Sequence, residues 1–243
     1  SHVINGTHYV SPELRQQVLE AIKELNYRPN RLARALSRKA LPLLALVVPD
    51  ISNPYWSCLA RAIQDVTDGQ GYSVIVCSTD GLLPRETRFL QSLSGWISGL
   101  IFHPYHVTQD SIRPYIGDEV AVVILGEPPA SEEGPSRFDY VRGDNEEAVL
   151  AAVEHLIALG HSHIGFIQGP PGTPTGTRRL EGYRRALRQA GLPYDERLVV
   201  TGDYTRDAGR SRIGLLLDMP EPPTAVFCAN DLIALGAMET AQR

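Results

Sequence analysis

IGFIQGPPGTPTGTRRLEGYRRAL, Ile164 to Leu187, decides how the rest of the chain is read. An apolar run comes first, a glycine- and proline-rich loop follows, and a helical pattern closes the stretch. That order is a strand–loop–helix unit, the building block of a parallel sheet. The loop GPPGTPTGT also has the composition of a phosphate cradle. A cradle of that kind needs G-x-x-x-x-G-K-[ST]: the glycines turn backbone N–H groups toward the phosphates, and the lysine adds charge. Counted from Gly169, the second glycine falls on Pro174 and the lysine on Thr175. Counted from Gly172, the same positions are Thr177 and Arg178. A proline removes a backbone donor, and no lysine occurs in the stretch. The likeness is one of composition only. What remains is a loop opening a helix whose first turns carry Arg178 and Arg179, a place to hold a polar ligand.

The same unit repeats in both directions. Upstream, LLALVVPD, YSVIVCSTD, GLIFHP and AVVILGE read as strands. They alternate with helices at Pro54–Gln70, Pro84–Ser94 and around Ser111–Ile116. A proline-rich loop, Pro128–Ser136, and a short extended piece, Tyr140–Arg142, close this run. Near Asp144 the rhythm restarts. Helices at Glu146–Leu159, Arg179–Ala190 and Arg206–Leu217, and one from Asp231 onward, alternate with the strands HIGFIQG, RLVVTGD and TAVFCA. Strands joined by single helices mean parallel sheets. The expected fold is therefore α/β, with two doubly wound lobes over residues 42–143 and 144–243. The second lobe is expected to be incomplete.

Residues 1–41 have a different texture. SHVINGTHYVS reads as the tail of a helix, a stop at Asn5-Gly6 and a turn. Ser11-Pro12 then supplies an N-cap and a proline at the first helical position. Leu14, Val18, Ala21, Ile22 and Leu25 follow at helical spacing, giving one apolar face. Tyr27–Asn30 breaks this helix, and Asn30 can cap a short second one, RLARALSRK, ended by Pro42. Residues 1–40 hold seven basic and three acidic side chains, although the whole chain carries −5. A basic head on an acidic body points to a polyanion met by the head alone.

Composition excludes several classes. At 43% hydrophobic and 21% charged the chain is ordinary for a globular protein. No apolar run has the length of a membrane span, and no signal-peptide pattern opens the sequence. Cys58, Cys77 and Cys228 lack C-x-x-C spacing and read as buried, reduced thiols. His155, His161 and His163 fall on different elements, so no metal site is expected. There is no H-E-x-x-H, no G-x-S-x-G and no locally paired cysteine and base, so no enzyme and no cofactor are expected.

In doubly wound sheets ligands sit beyond the carboxyl ends of the strands. Those ends carry Asp50, Ile51 and Asn53 with Tyr55 and Trp56, then Ser78 and Asp80, His103 and Glu127. In the second run they carry Gly169–Arg179, Asp203 with Tyr204, and Asn230 with Asp231. Amides, carboxylates and aromatics together suit a sugar, or a nucleobase stacked on Tyr55 or Trp56.

The order SHVINGTHYVSPELRQQVLEAIKELNYRPNRLARALS, LALVVPDISNPYW, HLIALGHSHIGFIQGP, RRLEGYRRAL and VFCANDLIALGAM resembles the lactose/galactose-repressor (LacI/GalR) family across essentially the whole chain. The resemblance implies a helix-turn-helix head, here partial, over residues 1–28. A hinge helix and linker would occupy 29–41, ahead of a periplasmic-binding-protein-like core. It implies a cytoplasmic bacterial regulator that is nucleoid-associated when on DNA. That regulator would be a homodimer on a near-palindromic operator, with a small sugar-like effector between the lobes. The head's first helix and most of its second are expected to lie outside the sequence.

Residue by residue, the resemblance places His2 at a base edge and Asn5 and Tyr9 near phosphates. Asn30, Arg31, Ala33 and Arg34 fall on the hinge, and Leu36 becomes a wedge in the minor groove. Arg179 becomes an effector ligand, Tyr204 an aromatic wall, and Asn230 and Asp231 a polar pair; Asp50, Asn53, Tyr55 and Trp56 complete the expected pocket. Plainer readings stand beside these. Asn230 can cap the last helix, Asp231 can serve its dipole, Arg179 can be a surface arginine, and one of Tyr55 and Trp56 can be core. The alternative function is a sugar-binding receptor of the periplasmic type without DNA binding.

Overall fold

The computed structural model describes residues 9–25, 41–126 and 138–242. It separates into two compact units, residues 1–41 and 42–243. In the first unit one helix is described, α1 (Pro12–Glu24). It starts as the Ser11-Pro12 pair requires: Ser11 Oγ accepts the Leu14 N–H at 3.3 Å. None of its residues is buried.

The second unit holds two parallel sheets. The first has strands β1 (Leu43–Val48), β2 (Ser73–Ser78), β3 (Gly99–Phe102), β4 (Ala121–Leu125) and β5 (Asp139–Val141), in the order β2-β1-β3-β4-β5. Helices α2 (Pro54–Asp68), α3 (Leu83–Leu93) and α4 (Gln109–Ile116) connect them. β1 lies between two partners, which is why LLALVV is apolar without alternation: Ala45 to Val48 are fully buried. One face packs Ala45, Val47, Phe102 and Leu100 against Leu90 of α3 and Ile112 of α4. The other packs Leu46 and Val48 against Trp56 of α2.

The second sheet has β6 (Ile164–Gln168), β7 (Val199–Thr201) and β8 (Ala225–Cys228), in the order β7-β6-β8. Around it lie α5 (Asn145–Ala158), α6 (Pro174–Gln189), α7 (Arg206–Leu217) and α8 (Asp231–Ala241). Fully buried Tyr183 anchors this core through its hydroxyl, which donates to the Ile164 carbonyl at 2.8 Å. Burial pushes its pKa up to about 12. Glycines allow two close helix approaches. A methyl at Gly182 of α6 would overlap the Glu146 carbonyl of α5, and one at Gly236 of α8 the Arg206 carbonyl of α7. Across the first of these approaches, Arg178 and Arg185 pair with Glu146, and Arg185 also with Glu147.

Two sequence expectations need correction. The helix expected from Arg179 begins at Pro174, because Thr173 caps it: its Oγ1 accepts the Gly176 N–H at 3.1 Å. Arg179 therefore sits in the second turn of α6. Cys58 is exposed on α2; Cys77 is buried and Cys228 half-buried. No helix among the described residues is long and apolar enough to cross a membrane.

Candidate functional site

Parallel register fixes where the site forms. Val48 stands opposite Ser78, and Val47 opposite Phe102, so β1, β2 and β3 end on one rim. In the second sheet Gln168 stands opposite Thr201 and Ile167 opposite Cys228. The chain leaves every one of these ends into a helix, and each such helix needs its first N–H groups satisfied.

Much of the polar character found at the strand ends meets that need. Asn53 Oδ1 accepts the Tyr55 N–H at 3.1 Å, capping α2. Asp50 Oδ1 accepts the Ser52 N–H at 2.8 Å and its hydroxyl at 2.7 Å. Asn230 Oδ1 accepts the Ile233 N–H at 3.0 Å, capping α8, while its Nδ2 donates to the Tyr204 carbonyl at 3.2 Å. Asp231 is exposed in the first turn of α8. Asn230 thus has both ends of its amide engaged by the protein.

Of the two aromatics opening α2, Trp56 is the core residue at 9% exposure and Tyr55 the exposed one at 65%. Trp56 begins an aromatic run along the rim. Its ring centroid lies 4.8 Å from that of His103, which lies 5.4 Å from that of Tyr105. Tyr55 meets Trp56 edge-on at 4.8 Å.

Arg179 and Tyr204 stand at strand ends of the second lobe. Arg179 is half-buried and fixed at two points: Nε donates to Asn145 Oδ1 at 3.0 Å, and Nη1 to the Ala229 carbonyl at 2.6 Å. Its guanidinium lies 5.7 Å over the Tyr204 ring. Burial lowers the His103 pKa to about 4; its backbone contact opposes this, and the Arg179 cation adds to it. Burial raises the Tyr105 pKa, helped by Tyr204.

The glycine-rich loop is closed by the protein itself. The Tyr204 ring lies against Gly169, where a methyl would overlap it. The Tyr204 hydroxyl is buried without a hydrogen-bond partner. A groove of about 750 Å³ runs elsewhere, along the outer edge of β8 between α5 and α8. Asn145, Arg179, Asn230 and Asp231 stand at one end of it, but Ala148, Ala152, Leu156, Leu217 and Ala234 make its walls aliphatic. The Trp56–His103–Tyr105 run lies outside this groove.

His103 stands at a strand end that the sequence marks, whereas Tyr105 and Glu86 carry no sequence signal of a site. Tyr9, from the DNA-binding set, is 92% exposed. His2, Asn5, Asn30, Arg31, Ala33, Arg34 and Leu36 lie outside the described residues, as does Glu127.

Comparison with known proteins agrees with the α/β fold. Residues 42–243 match the model for periplasmic binding proteins and the sugar-binding domain of the LacI family, and residues 1–30 match bacterial regulatory proteins of the lacI family. The catabolite control protein A of Priestia megaterium is 36% identical over all of this chain and 72% of its own length. The HTH-type transcriptional regulator DegA of Bacillus subtilis is 33% identical, also over all of this chain and 72% of its own. A solved complex of the transcriptional regulator CelR with cellobiose superposes with a TM-score of 0.72 at 32% identity, covering 99% of this chain and 72% of that one. The chain belongs to the LacI family of bacterial regulatory proteins, and is a DNA-binding transcription regulator with a sugar-binding domain.

Proposed function

We propose that the rims of the two sheets enclose an effector site, and that its occupancy controls how a homodimer seats its heads and hinges on a near-palindromic operator. The effector is read as a sugar or sugar derivative, with a nucleobase the next choice, and the regulator as a repressor. The carrying observation is the Arg179 guanidinium, pinned by Asn145 and the Ala229 carbonyl and lying over the Tyr204 ring. A planar donor fork against an aromatic face suits a ring with hydroxyl groups. In this reading Arg179, Tyr204, Trp56 and Tyr55 touch the effector, while Asp50, Asn53 and Asn230 shape the rim and Asp231 adds charge beside it.

The domain division follows: a head over residues 1–28, a hinge and linker over 29–41, and lobes over 42–143 and 144–243. His2, Asn5 and Tyr9 would contact DNA from the head, and Asn30, Arg31, Ala33, Arg34 and Leu36 from the hinge. We read the protein as cytoplasmic and as a binding protein, not an enzyme. The lacI-type head at residues 1–30 argues against a receptor that never meets DNA.

The test is a thermal-shift screen of the full-length protein with cellobiose, D-glucose, D-ribose and hypoxanthine, followed by operator binding with and without the ligand found. A ligand at 100 times its Kd adds about 2.7 kcal/mol of stability. Effector and DNA must also change each other's affinity by the same factor. No shift with any of the four, or a shift without any change in DNA affinity, defeats the proposal.

A further inference from the structure

Among the described residues the chain passes from the first sheet to the second once, between β5 and α5. Both ends of that crossing are locked. Upstream, the Val141 carbonyl accepts the Gly126 N–H at 3.0 Å, which ties the end of β5 to the end of β4. Downstream, Asp144 Oδ1 accepts the Glu147 N–H at 3.1 Å and caps α5. Arg142, Gly143 and Asp144 are exposed and belong to no helix or strand. A change in the angle between the sheets has to be absorbed by the backbone angles of this short segment.

Asn145, the first residue of α5, stands beside the crossing and is half-buried. Both polar atoms of its amide are engaged. Nδ2 donates back to the Gly143 carbonyl at 3.3 Å, inside the crossing. Oδ1 accepts the Arg179 Nε–H at 3.0 Å, from α6. Arg179 also holds the end of β8, its Nη1 donating to the Ala229 carbonyl at 2.6 Å. The start of α5 does not need the Asn145 amide, because Asp144 already caps it. A guanidinium is a rigid fork and an amide a rigid plane. When the fork turns toward a bound group, Nε moves with it, and the amide must follow or release one of its two bonds.

We propose that Asn145 is the positioning residue that couples Arg179 to the crossing, so that what Arg179 holds sets the angle between the lobes through this one amide. The inference rests on the reading of Arg179 as an effector contact and supplies the regulatory path out of that contact. Asn145→Asp separates the two halves of the link. A carboxylate still accepts from Arg179, but it has no N–H for the Gly143 carbonyl. An acid in the first turn also suits the helix dipole, so α5 is kept.

The test uses the full-length protein in two arms. In the ligand-free arm, spin labels on Gln70→Cys and Gln189→Cys, exposed positions of the first and second lobes, report the distance between lobes by double electron–electron resonance. Cys58→Ser and Cys228→Ser remove the exposed and half-buried native thiols. Asn145→Asp should broaden the distance distribution. Arg179→Met should broaden it as well, but should add nothing on top of Asn145→Asp, because the path is already cut. An Asn145→Asp distribution that overlays wild type overturns the proposal, and so does additive broadening in the double variant. In the ligand arm, calorimetry measures cellobiose, D-glucose, D-ribose and hypoxanthine on free and operator-bound protein. For a probe that binds wild type, the ratio of the two affinities is the coupling, typically about 5–150-fold in allosteric proteins. Asn145→Asp should bring that ratio to within about twofold of one, whatever happens to the affinity itself. A ratio unchanged from wild type ends the coupling role of Asn145 while the effector site stands. If none of the four probes binds wild type, the effector reading fails and takes this inference with it.

Discussion

The Tyr204 ring rests on Gly169 at the mouth of the loop that looks like a phosphate cradle. The glycine is there to admit the ring, not an anion. Gly169→Ala should push the ring off its seat, because the alanine methyl and the ring cannot share the space. Overpacking of this kind costs about 1–3 kcal/mol. The displaced ring also loses its place beneath Arg179, so sugar affinity should fall at least tenfold. Urea unfolding and calorimetry on the same protein read both effects. An unchanged affinity at reduced stability would place Tyr204 outside the site.

The start of α6 shows what was legible and what was not. The succession of strands and helices along each lobe follows from apolar runs and helical periods. The same cap-then-proline pair that marked the start of α1 at Ser11-Pro12 also stands at Thr173-Pro174, but glycines on both sides hid it. The site was half legible, for a physical reason. Asn53 and Asn230 have the chemistry of ligands, yet at a strand end that chemistry also caps a helix. In the fold Asn230 has both amide atoms engaged. Tyr105 and Glu86 left no periodic signal. Glu86 looks like any helical carboxylate until the 105–107 loop folds over it.

Arg179→Lys keeps the charge and loses the fork. Lysine has no rigid pair of donors to reach Asn145 and the Ala229 carbonyl together. One of these half-buried acceptors then goes unpaired, at a cost of about 1–3 kcal/mol. Sugar affinity should drop more than tenfold, and it should drop for each sugar that binds wild type. Retained affinity with lowered stability would make Arg179 a brace between α5, α6 and β8 with no ligand role.

The proposed hinge makes a separate prediction. A leucine wedge that unstacks a base step bends DNA by about 20–90°. Leu36→Ala should weaken operator binding and bending together, with the sugar site untouched. The flanking Arg31 and Arg34 should still give a salt-dependent, sequence-independent affinity. Gel phasing of the full-length protein on its operator reads the bend. A full bend with alanine at position 36 removes the wedge from the account.

His103 ties the site to pH through stability. Its ordinary value is 6.5 and its value in the fold is about 4, with burial among Trp56 and Tyr105 as the main cause. Above about pH 7 neither the folded nor the unfolded chain binds this proton, so His103 contributes no slope. Between about 6.5 and 4 the unfolded chain takes up the proton and the fold does not. Stability therefore falls as pH drops through that window, and the loss levels off below about pH 4. The full gap corresponds to up to about 3 kcal/mol. Other groups titrate in the same range, so the comparison is with His103→Phe, which keeps the ring and loses the proton site. Urea unfolding at pH 8, 6 and 5 should show wild type losing ground to His103→Phe as the pH falls. A difference that stays constant from pH 8 to 5 would mean that the fold leaves the His103 pKa at its ordinary value.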